Sequence, residues 1–100
     1  MKAIHLARMD QTRPVLILTR EAAFGARHVT VAAITSTIRG VATELPVGKD
    51  NGLDHECVVN LDDVQTIRRT DLGRFMGYLS AHQEPALRHA LVRAFDLDDL

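Results

Sequence analysis

Two runs of branched aliphatic residues near the amino terminus constrain this chain more than anything else in it. The first reads Arg-Pro-Val-Leu-Ile-Leu-Thr from residue 13, the second Val-Thr-Val-Ala-Ala-Ile-Thr-Ser-Thr-Ile-Arg from residue 29. Such side chains are stiff in a helix and pack well on a pleated surface, so both runs are expected as β-strands. The first opens with an arginine and the second ends in hydroxyls. If the strands are neighbours, Arg13 and Thr35 come together as a phosphate site, a planar guanidinium holding two oxygens beside a hydroxyl.

The remaining segments suit a small antiparallel sheet. Residues 3–8 alternate, with Ile4 and Leu6 on one face and His5 on the other, and Asp10, Gln11 and Thr12 turn the chain into the Arg-Pro strand. Pro14 is tolerated at a strand start, where a missing N–H does little harm. Around Glu21, Ala22 and Ala23 at most one helical turn is expected before Gly25, and the second aliphatic strand then covers 29–38. A fourth strand is expected over 41–47, an Asn-Gly turn at 51–52, and two short strands at 57–61 and 64–69 joined through Asp62 and Asp63. A helical turn at 71–74 and a strand at 75–79 follow. Leu87, Ala90, Leu91, Ala94 and Phe95 then fall at helical spacing, with Ser80 as cap, Pro85 near the first turn, and Asp96, Asp98 and Asp99 opposing the dipole in a frayed tail. The fold class is mostly β with a carboxyl-terminal helix, a partly closed antiparallel barrel in a single domain spanning 1–100.

Charge adds one point. The total is −1, but Lys2, Arg8, Arg13, Arg20, Arg27 and Arg39 crowd the first 39 residues, while carboxylates dominate 44–63. The fold could present one basic face, or simply scatter its arginines over a solvated surface. The single cysteine, Cys57, excludes an intrachain disulfide, and a cytoplasmic protein without a signal peptide or membrane span is expected.

Other chemistry finds little support. Five histidines show no paired spacing of a zinc site, and His55 with Cys57 is only a two-ligand fragment, so no metal and no cofactor are expected. Cys57 beside Val58 and Val59 reads as a packed small hydrophobe. There is no glycine-rich phosphate loop and no nucleophile elbow. Arg13 and the hydroxyls of Thr35, Ser36 and Thr37 remain, with two readings each. Arg13 is a phosphate clamp or a solubilising charge; Thr35 is a phosphate ligand or an ordinary strand residue.

The residues 13–18, Arg-Pro-Val-Leu-Ile-Leu, followed by 31–38, Val-Ala-Ala-Ile-Thr-Ser-Thr-Ile, and then Cys57-Val58-Val59 with Gln65-Thr66-Ile67, resemble the MazF/PemK (Kid) family of bacterial toxin endoribonucleases. The resemblance covers nearly the whole chain in order. It implies an SH3-like barrel of the MazF and CcdB type, usually a homodimer, that cuts single-stranded RNA at short sequences without a metal. It implies a cognate antitoxin whose acidic disordered tail occupies the RNA groove. Arg13 and Thr35 match the family's catalytic positions, and Arg8, Gln11, Arg20, Ser36, Thr37 and Arg39 are the expected RNA-binding residues. The chemistry implied is attack of the ribose 2'-hydroxyl on the adjacent phosphorus, giving 2',3'-cyclic phosphate and 5'-hydroxyl ends.

One departure stands out. Family members usually carry a longer loop, with Gly-Ser-Glu-Gln before Arg-Pro, for which residues 6–12 leave no room. The acidic residue of that loop has no counterpart, leaving Asp10, Gln11 or His5 as proton acceptor, and Asp63 stands where many relatives have Gln. The alternative is a non-enzymatic relative on the same fold, an interaction module or a CcdB-like gyrase poison. CcdB depends on a terminal Trp-Gly-Ile, whereas this chain has no Trp and ends Asp-Asp-Leu.

Overall fold

A computed structural model describes residues 1–23 and 25–97. Six strands form one antiparallel sheet: β1 (Ala3–Arg8), β2 (Thr12–Ile17), β3 (His28–Thr35), β4 (Glu44–Val47), β5 (Cys57–Arg68) and β6 (Leu72–Tyr78). Their order across the sheet is β4-β5-β3-β2-β1-β6, and one α-helix among the described residues, α1 (Glu84–Ala94), follows. Short 3-10 turns occupy connections at Glu21–Ala23, Lys49–Asn51, Arg69–Asp71 and Ala81–Gln83.

The two aliphatic runs are neighbours, as β2 and β3, paired Val15↔Ala33, Leu16↔Ala32 and Ile17↔Val31. Val15, Leu16 and Ile17 are all buried because both faces of this part of the sheet are covered. Leu16 belongs to the main core with Ile4, Ala32, Ile34, Val59, Leu61, Leu79 and the helix residues Leu87 and Ala90. Val15 and Ile17 point the other way, into a smaller cluster with Ala7, Val29 and Val31. Period-two alternation thus serves two cores at once.

Several segments depart from sequence expectation. β3 ends at Thr35 and β4 begins at Glu44, so 36–43 is a loop rather than the end of one strand and the start of another. Glu44 explains this: its carboxylate accepts the main-chain N–H groups of Arg39, Gly40 and Val41, which satisfies donors that a sheet ladder would otherwise have used. The two strands expected at 57–61 and 64–69 are one, β5, bent by a bulge. Ala32 pairs with Val64 but the next residue, Ala33, pairs with Asn60, so Leu61, Asp62 and Asp63 are the inserted residues. Its first half also pairs with β4. The helical turn expected at 71–74 lies instead at Arg69–Asp71, and β6 starts at Leu72.

The Asn-Gly pair does not form a two-residue hairpin turn. Asn51 closes a 3-10 turn and is buried, its Nδ2 donating to Tyr78 O at 3.0 Å and to Gln83 Oε1 at 2.7 Å. Gly52 adopts φ +90, and its backbone lies against β6 so closely that a Cβ would stand 2.0 Å from the Met76 carbonyl oxygen. A Cβ on Gly77 would meet Asn51 O at 2.3 Å. This glycine seam packs the β4–β5 connection against the strand at the far edge of the sheet, but β4 and β6 do not pair, so the sheet is not closed into the barrel that was expected.

In α1, Leu87 and Ala90 are buried and Leu91 and Ala94 pack on the core. Pro85 occupies the first turn. Phe95 leaves the expected stripe: it lies past the last helical residue and is exposed. Asp98 and Asp99 lie outside the described residues. No helix among the described residues is long and apolar enough to cross a membrane.

Candidate active site

β2 begins where the turn after β1 ends, and this places Arg13 on the outer face of the sheet, paired with Ala7. The guanidinium lies at the floor of a groove of about 700 Å³, between the β1–β2 turn, with Arg8 and Asp10, and the second half of β5, with Asp63 and Gln65. Arg13 is about three-quarters covered, and its Nε is buried without a hydrogen-bond acceptor. An unanswered N–H in such a position is costly unless an oxygen comes to it. Its Nη2 lies 3.6 Å from Asp10 Oδ1, which also accepts the Gln11 N–H at 2.9 Å.

Thr35 ends β3. The β2–β3 ladder stops at Val15↔Ala33, and the same register carried two residues on sets Thr35 across from Arg13 on the same face. The Thr35 Oγ1 accepts the Thr37 N–H at 3.1 Å, turning the chain out of the sheet and leaving the hydroxyl proton to be donated elsewhere. The structure therefore brings Arg8 and Arg13 to one groove, leaves Gln11 exposed on the adjoining turn and sets Thr35 at the neighbouring strand end.

The other expected RNA-binding residues are distributed differently. Ser36 and Thr37 are exposed on the 36–43 loop. Arg39 shares that loop, with Nε 3.5 Å from Glu44 Oε2 and Nη2 3.8 Å from Asp62 Oδ2, which in turn accepts the Thr43 hydroxyl at 2.6 Å. Burial pushes the Glu44 carboxyl up, but the amide N–H groups of residues 39–41 and the Arg39 guanidinium outweigh it and hold the group below its ordinary value. Arg20 is set apart, in a separate hollow with His5 and Tyr78.

The groove is of mixed sign rather than a basic face. Arg68 and Asp71 line it too, with Arg68 Nε 3.3 Å from Asp71 Oδ2, and His28 completes one wall. Arg68, His28 and Asp71 were not singled out by sequence reasoning. The usable signal was alternation, since Asp63, Gln65 and Ile67 share the outer face of β5, where Gln65 pairs with Val31. Cys57 packs in the main core, and burial, reinforced by Asp54, pushes its thiol up, away from a nucleophilic thiolate. Among the described residues no group of three or more His, Cys, Asp or Glu could hold a metal ion.

Residues 5–95 match the family described as the PemK-like, MazF-like toxin of type II toxin-antitoxin systems. The chain belongs to this family. It is 57% identical over 99 residues to a Mycobacterium tuberculosis protein named endoribonuclease MazF3, the match covering 98% of this chain and 96% of the relative. A second relative from the same organism, named probable endoribonuclease MazF2, is 42% identical over 70 residues, covering 68% of this chain and 69% of the relative. The solved structure of the M. tuberculosis toxin MazF-mt6 superposes with a TM-score of 0.94 at 56% identity, covering 97% of this chain and 99% of that one. A mycobacterial endoribonuclease solved in complex with its cognate antitoxin shares the fold at 22% identity and a TM-score of 0.86, covering 98% and 95% of the two chains. The family and the fold implied by the Arg-Pro and Ala-Ile-Thr motifs are both upheld.

Proposed function

We propose that this chain is the endoribonuclease toxin of a toxin-antitoxin pair, a sequence-selective enzyme that cuts single-stranded RNA by 2'-hydroxyl attack without a metal. The observation that carries this reading is Arg13, whose buried Nε has no protein acceptor at the floor of an open groove. Membership of a toxin family whose relatives are named endoribonucleases supports the substrate class.

In this reading the scissile phosphate lies over Arg13, which donates to two non-bridging oxygens and stabilises the charge that grows on them. Thr35, at the next strand end, donates its hydroxyl to the same phosphate. Asp10 takes the proton from the 2'-hydroxyl; its side chain is 81% exposed, so a ribose can reach it, and Arg13 holds it in place. The bond from the 2'-oxygen to phosphorus forms as the bond from phosphorus to the 5'-oxygen breaks. The departing oxygen takes a proton from water, leaving a 2',3'-cyclic phosphate and a 5'-hydroxyl. Arg8 and Gln11 hold flanking phosphates on the turn side, while Ser36, Thr37 and Arg39 do so from the 36–43 loop.

Selectivity is assigned to Asp63 and Gln65. A carboxylate in an RNA groove repels phosphate but accepts from an exocyclic amino group, so it suits a base edge, not a backbone. Two partners accompany the RNA. Exposed Ile38, Val41, Phe95 and Leu97 offer apolar area for a second copy of the chain, in a homodimer. A cognate antitoxin with an acidic disordered tail would occupy the Arg13 groove in place of RNA.

Mapping both ends of the fragments tests the reaction. Purified protein incubated with single-stranded RNA in EDTA is expected to leave cyclic phosphates and 5'-hydroxyls; 5'-phosphate ends, or cleavage that requires added metal, would contradict it.

A further inference from the structure

Only four residues of this chain are Phe or Tyr, and two of them, Phe75 and Tyr78, stand nearly half exposed on β6, one of the two edge strands. They are not scattered. His5 and Phe75 are cross-strand partners on β1 and β6, with ring centroids 5.5 Å apart and planes at 70°, and Phe75 meets Tyr78 at 4.9 Å and 58°. The His5 ring is oriented by Nδ1, 3.0 Å from the Gly73 carbonyl oxygen. The three rings make a continuous ledge beside an open hollow of about 650 Å³.

The ledge adjoins the active-site groove. Ala7 pairs with Arg13, and His5 lies two residues away on the same face of β1, which puts it at the diagonal cross-strand distance of about 7–8 Å from Arg13. Charge around the hollow is suited to a nucleic acid backbone. Lys2 and Arg20 line it, with Lys2 Nζ donating to Leu18 O at 2.7 Å and, among the described residues, no ion pair engaging Arg20; of the two carboxylates that also line it, Glu21 is matched by the amino terminus and Glu84 lies on the helix side. Exposed rings rimmed by cations next to a phosphate-binding arginine are the elements of a single-strand stacking surface.

We propose that His5, Phe75 and Tyr78 form a stacking platform for bases of single-stranded RNA on one side of the cut phosphate, with Arg20 and Lys2 on the accompanying backbone. This rests on the nuclease reading and adds a subsite outside the reacting centre. Every base has an aromatic face, so the platform strengthens binding of an unpaired flank without selecting its sequence.

The test compares five RNAs: a short core containing the cleaved sequence, the core extended by unpaired nucleotides on its 5' side, the core extended on its 3' side, and each of the two extensions repeated with abasic residues. Cleavage is followed by kcat/KM. Binding is followed separately, by anisotropy of the same RNAs with a 2'-O-methyl group at the cut, which cannot react. Wild type is expected to gain at least ~5-fold from one of the two extensions, in both readouts, and to lose the gain when that flank is abasic. The double variant Phe75→Ser, Tyr78→Ser should cut the short core like wild type yet show no gain, whereas Phe75→Tyr, which keeps the ring, should retain it. Core cleavage with equal gain in wild type and the double variant overturns the platform and leaves the nuclease reading standing. Flank-dependent binding that the double variant loses, without cleavage by wild type, overturns the nuclease reading and leaves the platform. A double variant that loses its oligomeric state or its antitoxin affinity while keeping the gain shows that the ledge serves a protein partner, which also overturns the proposal.

Discussion

Asp10 and Arg13 face each other across the β1–β2 turn, Oδ1 to Nη2 at 3.6 Å, with Oδ1 also receiving the Gln11 N–H. The short turn thus brings a carboxylate to the guanidinium. Asp10→Asn keeps the size of the side chain and the turn hydrogen bond but cannot take a proton. We expect it to fold normally and to lose RNA cleavage by a factor on the order of 10² to 10⁴. Single-turnover rates on one oligonucleotide check this, and an undiminished rate would exclude Asp10 as the proton acceptor.

Asp63 lines the same groove from the bulge of β5. Because a carboxylate only accepts, whereas an amide both donates and accepts, Asp63→Asn should change which base is tolerated at one position of the cleaved sequence while cutting continues. Sequencing the ends produced from a long RNA by the two proteins shows whether the preference shifts. Identical cleavage maps would remove Asp63 from base reading.

Glu44 holds the loop that follows Thr35, through the N–H groups of Arg39, Gly40 and Val41. Its carboxyl is held below its ordinary value of 4.5 in the folded protein. The ionised form is therefore favoured by folding, so this contribution is fully present above pH 4.5 and is lost as pH falls through the lower folded value. Hydrogen exchange of the amides at 39–41 should accelerate, relative to the core strands, as pH is lowered through that range after correction for intrinsic rates. Glu44→Gln should show the same loosening at neutral pH and lose most of the acid dependence. Equal protection in both proteins at all pH values would contradict the cap.

The seam of Gly52 and Gly77 predicts a stability effect far from the groove. Gly77→Ala places a methyl group 2.3 Å from Asn51 O, so the two backbones must part. Overpacking of this kind costs about 1–3 kcal/mol. For a domain of this size the melting temperature should fall by about 4–8 °C for each kcal/mol lost. A thermal scan of Gly77→Ala against Gly25→Ala is decisive, because a Cβ at Gly25 meets nothing within 4 Å.

The aliphatic strands, the placement of Arg13 at a strand start and the helix stripe through Leu87 and Ala90 were legible in the sequence because period and branching are local properties. The course of β5 was not. Asp62 and Asp63 look like turn formers between two strands, and only pairing with both β3 and β4 shows them to be a bulge in one. Asn51-Gly52 carries a strong turn signal, but burial of Asn51 against Tyr78 and Gln83 makes the pair part of a seam instead. The aromatic ledge was invisible for a similar reason, since His5 and Phe75 meet only through the β1–β6 pairing. Arg20 reads as one more basic residue beside Arg13 along the chain, yet the fold sends it to the ledge.

The most direct measurement is the rate of RNA cleavage by Arg13→Ala, with EDTA present and with folding verified by the same thermal scan as wild type. Loss of one positioned electrostatic donor should slow the chemical step by a factor on the order of 10² to 10³. Arg13→Lys should recover only part of the loss, because an ammonium cannot hold two phosphate oxygens in a planar fork. A folded Arg13→Ala protein that cuts RNA at the wild-type rate would contradict the assignment of this groove as the catalytic centre.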